Sequence, residues 1–165
     1  GPSHTVTHLG RMSGNFLDEV DDLSDTFEFT ALQHGVPQVF EQATITPFRT
    51  VHPTETFALR IEDHVSGKVI AYSADTAYTE DLVECARGAE YFLCEAAWGV
   101  TAADKISGMH MSGADAGVLA SKAGVRNLVL THLQPWGDSA ATVRAAENHF
   151  SGRVQVALPG NEYTV

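Results

Sequence analysis

The stretch Val69-Ile70-Ala71-Tyr72-Ser73-Ala74-Asp75-Thr76 decides the fold. Four apolar residues in a row are the pattern of a buried central strand, and the run from Ser73 ends it on polar atoms. The same event recurs downstream. Residues 91–94 read as a second short buried strand ending at Glu95, and Leu128-Val129-Leu130 as a third ending at Thr131-His132. Helical segments separate them. Thr79 can cap a helix over residues 80–87, with Leu82, Val83 and Ala86 on one face. Ser112 and Asp115 have capping-box spacing, with Asp in place of Glu, ahead of an Ala- and Leu-rich helix over 113–123. Gly124 is a natural residue to close it. Asp138 or Ser139 caps a last helix to Phe150, and residues 154–158 finish as a strand. The second half is therefore β-α-β-α-β-α-β, an α/β pattern. Chemistry in such folds usually sits at the carboxyl ends of the strands. Here those ends carry Asp75, Glu95 and His132.

Upstream the rhythm has period two. Phe57, Leu59 and Ile61 alternate strictly, so residues 56–62 read as a half-buried strand. Residues 43–50 alternate as well and are rich in β-formers, and Ser66-Gly67 marks a turn. Phe27, Phe29 and Ala31 predict one further short strand. Residues 1–25 are poorly patterned, with a short helix near residues 15–20. His4 and His8 are spaced as on one helical face, but the segment lacks a helical pattern and reads as a solvated loop.

The chain has 165 residues, 44% of them apolar, which suits one domain with a real core. Lys and Arg number 10 against 21 Asp and Glu, a net charge of −11, which argues against a broad polyanion-binding face. No apolar run reaches the ~20 residues of a membrane span, and the N-terminus does not read as a signal peptide. Two cysteines, Cys85 and Cys94, make no disulfide framework and read as buried small hydrophobes in a reducing, cytoplasmic setting. The sequence has no C-x-x-C, G-x-S-x-G or Walker A motif, which weighs against redox, serine-hydrolase and P-loop chemistry.

Five residues are candidates for chemistry, and each also has a purely structural reading. His52 precedes Pro53, which holds it extended at the mouth of a strand pair; it is a ligand or an exposed loop histidine. Asp75 either caps the next helix or bridges two cations, since a carboxylate can offer one oxygen to each. His132 is a satisfied core residue or a zinc-type ligand. Glu95 and His110 are a structural hydrogen bond or a carboxylate orienting a general acid.

The motifs follow a familiar order: His52-Pro53-Thr54-Glu55-Thr56-Phe57-Ala58-Leu59-Arg60-Ile61, then Tyr72-Ser73-Ala74-Asp75-Thr76, then Leu93-Cys94-Glu95-Ala96-Ala97. Met109-His110-Met111-Ser112 with its Ala-rich helix and Leu130-Thr131-His132-Leu133 complete it. In this the chain resembles the C-terminal portion of a metallo-β-lactamase-fold hydrolase, an αββα sandwich, of the ribonuclease Z and phosphodiesterase branch. It is most similar to the actinobacterial cyclic-AMP phosphodiesterases of the atypical class II kind. The likeness extends to Gly1-Pro2-Ser3 and Asp21-Asp22-Leu23-Ser24-Asp25, so it covers nearly all of residues 1–165.

That resemblance implies a dinuclear metallohydrolase that converts 3′,5′-cyclic AMP to AMP through a metal-bound hydroxide. It implies two divalent metals, zinc foremost, with manganese or iron also suited. His52, Asp75 and His132 would be metal ligands, Asp75 bridging. Asp75, Glu95 and His110 would be the catalytic residues, with the Glu95–His110 pair near the leaving oxygen. The expected partner is a small cyclic nucleotide, with no membrane and no stable nucleic-acid complex, in a cytoplasmic homodimer. The family's His-x-His-x-Asp-His motif does not occur in the sequence and would lie upstream, so the chain by itself is expected to be metal-poor and inactive. Ala74 stands where the family usually has Gly, a change that bears on backbone angles. Cys94 replaces the His of ribonuclease Z proteins, which favours the phosphodiesterase branch. The alternatives are a ribonuclease Z-like tRNA 3′-processing endonuclease and a non-catalytic truncated scaffold.

Overall fold

Alternating and continuous apolar runs become strands at the positions where the sequence places them. A computed structural model describes residues 1–14, 16 and 18–165. They divide into two compact units, Gly1–Gln33 and His34–Val165.

The larger unit is a seven-stranded sheet with helices between its later strands. The strands are β1 (Gln38–Val39), β2 (Ala43–Arg49), β3 (Phe57–Asp63), β4 (Val69–Tyr72), β5 (Tyr91–Glu95), β6 (Asn127–Thr131) and β7 (Arg153–Val156). They lie side by side in chain order. β1 to β4 pair antiparallel, and β4 to β7 pair parallel. Three parallel crossovers in one direction put their helices on one face of the sheet. These are α2 (Glu80–Ala86), α3 (Gly113–Ala123) and α4 (Ser139–Glu147); α1 (Thr5–Ser13) belongs to the smaller unit. Ala71, Phe92, Cys94, Leu128 and Leu130 face that layer and share one buried cluster with Leu82, Val83, Leu119 and Ala120.

The helix ends follow their local chemistry. The Thr79 side chain accepts from the Asp81 N–H at the start of α2. At the other end of α2, the Arg60 guanidinium donates to the carbonyls of Cys85 and Arg87. Ser112 and Asp115 form a reciprocal capping box, and Gly124 closes α3 at φ 65°. Helices α3 and α4 pack closely through glycine. A Cβ on Gly113 would lie 2.3 Å from the Thr142 carbonyl oxygen, and one on Gly117 would lie 2.3 Å from that of Ala146.

The smaller unit departs from expectation. Thr5–Ser13 is a helix, α1, rather than a solvated loop. Its inward positions are Thr5, Leu9 and buried Gly10. Leu9 is the one large apolar residue on that face, and Val6 and Met12 are exposed, so a hydrophobic-period reading of the buried side does not register it. The Asp21 N–H donates to the Gly10 carbonyl at 3.0 Å, a close approach that the missing side chain permits. Phe27, Phe29 and Ala31 form no strand; the two rings pack together 5.8 Å apart in irregular chain. The helix anticipated near residues 15–20 falls on a stretch whose Asn15 and Leu17 lie outside the described residues. In the larger unit, α4 ends at Glu147, short of Phe150, and β1 is additional.

Candidate metal centre

Strand direction explains why the five candidate residues meet. β4, β5 and β6 run parallel, with Tyr72 beside Leu93, Cys94 beside Leu130 and Glu95 beside Thr131. Their carboxyl ends therefore form one edge, where Asp75, Glu95 and His132 emerge. β2 is antiparallel to β3, and β3 to β4, so β2 points the same way as β4. Its continuation delivers His52 to that edge. Two bonds fix the approach: the Ala77 N–H donates to the Val51 carbonyl at 2.8 Å, and the Val51 N–H to Thr76 Oγ1 at 3.1 Å. His110 arrives from the loop ahead of the α3 cap.

Glu95 organises the site. Its side chain is 1% exposed. Oε1 accepts from the Thr76 N–H at 2.8 Å and bonds His110 Nδ1 at 2.8 Å. Oε2 accepts from the N–H groups of Ala97 at 3.0 Å and Met111 at 3.2 Å. A carboxylate offers about four lone-pair positions, and these four partners use them. Glu95 thus has no position left for a metal and acts as the group that orients His110. With a carboxylate against Nδ1, that nitrogen carries a proton and Nε2 is left to face the site.

The ligand atoms converge in two overlapping groups. One ligand atom each from His52, Asp75 and His110 lies within 4.8 Å of the others, and the same holds for Glu95, His110 and His132. His132 Nδ1 is 3.1 Å from Asp75 Oδ1, with both side chains 40% exposed. The His110 ring is 5.5 Å from that of His52 and 5.0 Å from that of His132. Imidazoles and a carboxylate at such spacing suit a divalent transition metal. His52, Asp75 and His110 thus form one donor group, and His132 joins it through Asp75 and through the Glu95–His110 pair.

The backbone is held in unusual angles where these residues turn inward. Ala74 has φ 51° and His132 φ 55°, the left-handed region that favours glycine. The Ala74 reading in the sequence thus has a physical basis. Burial pushes the Tyr72 hydroxyl up, and the negative charges of Asp75 and Glu95 push it further. Two contributors were not anticipated. Thr76 donates its N–H to Glu95 while its hydroxyl receives Val51, and Trp98 stands edge-on to His110 at 5.0 Å. Thr76 follows Asp75 directly, so its place in the motif was the available signal; Trp98 carried none.

Sheet and helical layer are together those of the metallo-β-lactamase fold. The family described as "Beta-lactamase superfamily domain" matches residues 13–133, and the chain belongs to it. An uncharacterized protein of Mycobacterium tuberculosis (strain ATCC 25618 / H37Rv) is 40% identical over 165 residues, 100% of this chain and 60% of that one. The probable metallo-hydrolase YhfI of Bacillus subtilis (strain 168) is 31% identical over 79% of this chain and 52% of its own. The crystal structure of YhfI, a metallo-beta-lactamase fold protein, superposes with a TM-score of 0.69 at 32% identity, covering 78% of this chain and 52% of that one. Unliganded yeast PDE1 shares the fold, with a TM-score of 0.73 at 16% identity over 96% of this chain and 57% of that one. The chain thus spans about 60% of the length of the mycobacterial relative. No helix among the described residues is long and apolar enough to cross a membrane.

Proposed function

We propose that the intact protein is a metal-dependent phosphodiesterase that hydrolyses 3′,5′-cyclic AMP to AMP. The observation that carries the reading is the convergence of His52 and Asp75 with a Glu95-bound His110, and of His132 with Asp75 and that same pair. The family membership supports metal-dependent hydrolysis, and the likeness of the five motifs to cyclic-AMP phosphodiesterases supports the substrate.

In this reading His52, Asp75 and His132 would contribute ligands to two divalent cations, zinc foremost. When bound, such cations would supply an activated water and neutralise charge developing at phosphorus. His110 would serve as the proton donor. Its Nδ1 is anchored on Glu95, so a proton carried at Nε2 is aimed at the leaving 3′ oxygen. The fixed ring needs no reorganisation at the moment of transfer, because Glu95 is itself locked by three backbone N–H groups.

The test is AMP release from cyclic AMP by the intact protein, before and after chelation, with precursor tRNA as the competing substrate. Hydrolysis should vanish on chelation and return with added zinc or manganese. Cleavage of tRNA precursors at a comparable rate would replace this reading with a ribonuclease. Failure to hydrolyse with any divalent metal would leave a binding scaffold.

A further inference from the structure

Both tryptophans of the chain, Trp98 and Trp136, line one cavity. It lies beside the metal centre, has a volume of about 310 Å³, and is also lined by Lys105, Gln134, Ser139 and Thr142. Trp98 forms the junction, since its ring edge meets His110 at 5.0 Å. Leu133, the residue after His132, also lines the cavity. The volume falls at the low end of the roughly 300–1,000 Å³ of small-molecule sites, enough for one compact group.

The lining is unusual for this molecule. The chain carries a net charge of −11, yet Lys105 is the sole charged side chain among the described residues lining the cavity. Trp136 is 84% exposed, so its indole spends apolar surface on solvent where a smaller residue would serve the loop as well. Indole faces favour flat π-systems, and stacking a base on an aromatic side chain adds affinity with little demand on sequence. Gln134, Ser139 and Thr142 offer donors and acceptors to the edge of such a ring.

We infer that this cavity is the subsite for the purine base of the nucleotide, with Trp136 as the stacking residue and Lys105 and Gln134 at the polar edge. The inference rests on the phosphodiesterase reading for the identity of the nucleotide. It adds residues outside the metal cluster that select the substrate by its base.

The experiment is calorimetric titration of the intact protein with AMP and with ribose 5-phosphate, which keeps sugar and phosphate but lacks the base. The wild type should bind AMP more tightly. Trp136→Ala should weaken AMP about tenfold and leave ribose 5-phosphate unchanged, while Trp136→Phe should restore most of the loss. Because Trp136 faces solvent, these variants should keep the wild-type circular dichroism. Equal wild-type affinity for the two ligands would overturn the subsite. So would unchanged AMP binding in Trp136→Ala, an equal loss for both ligands, or no rescue by Phe. Hydrolysis is not needed for this readout. A protein that binds AMP through Trp136 but hydrolyses no cyclic nucleotide keeps the subsite and loses the phosphodiesterase reading. One that hydrolyses cyclic AMP with no dependence of binding on Trp136 does the reverse.

Discussion

At the scale of the residue, Glu95 holds together more of the candidate site than any other side chain. Removing its side chain would leave three backbone N–H groups and the His110 ring without their acceptor in a buried place. Glu95→Ala should therefore cost roughly 3–5 kcal/mol, read from urea unfolding, the scale for breaking a buried charged network. Asp75→Ala acts differently. The residue is half-exposed, so folding should survive while metal content falls and turnover disappears; elemental analysis beside a rate assay separates the two. If turnover persisted, Asp75 would not bridge. His110→Ala should keep its metal and slow turnover by roughly 10²–10⁴-fold, the usual reach of a general acid. A rate equal to wild type would remove His110 from the mechanism. Ala74 tests the backbone. Ala71→Gly in β4 should cost about 1 kcal/mol or more through lost burial and added chain entropy. Ala74→Gly should be close to neutral, because release of the left-handed strain of about 1–2 kcal/mol offsets the same losses.

At the scale of the element, the contact between α3 and α4 is set by the absence of side chains. Gly113 and Gly117 lie four apart on α3 and meet Thr142 and Ala146, four apart on α4. The nearest obstructing atom at each is a backbone carbonyl oxygen, which cannot rotate away. Gly117→Ala should thus destabilise by about 1–3 kcal/mol through overpacking, seen as a lower urea midpoint with an unchanged slope. No loss at all would mean that the helices can separate at little cost. Ser112→Ala removes the cap of the same helix and should cost about 1 kcal/mol. The Gly113–Gly117 spacing was visible in the sequence, but which helix it would face was not, because that depends on the order of strands in the sheet.

At the scale of the whole molecule, the larger unit was readable because its local signals agree. Val69–Tyr72 is a continuous apolar run, Thr79, Ser112 and Gly124 are helix punctuation, and each fell where expected. The site residues were readable as polar endings of buried strands. Their convergence was not, since it needs β2 to run parallel to β4 and so bring His52 to the shared edge. The smaller unit was misread because α1 turns Thr5, Leu9 and Gly10 inward, a face on which Leu9 is the one large apolar residue. The buried cysteines give a global test. Burial pushes the Cys85 thiol up to about 12 and raises Cys94 well above its ordinary value, so neither offers thiolate at neutral pH. Alkylation should be slow in the native protein and rapid in denaturant; fast native labelling would show that the core opens locally. The bonds to Glu95 have a further consequence for time. Thr76, Ala97 and Met111 belong to three different stretches of chain, and their amide hydrogens all end on one buried carboxylate. No single loop can swing out and release them. In deuterated water these three should be among the last amides to lose their protons, exchanging together and only as fast as the entire unit unfolds.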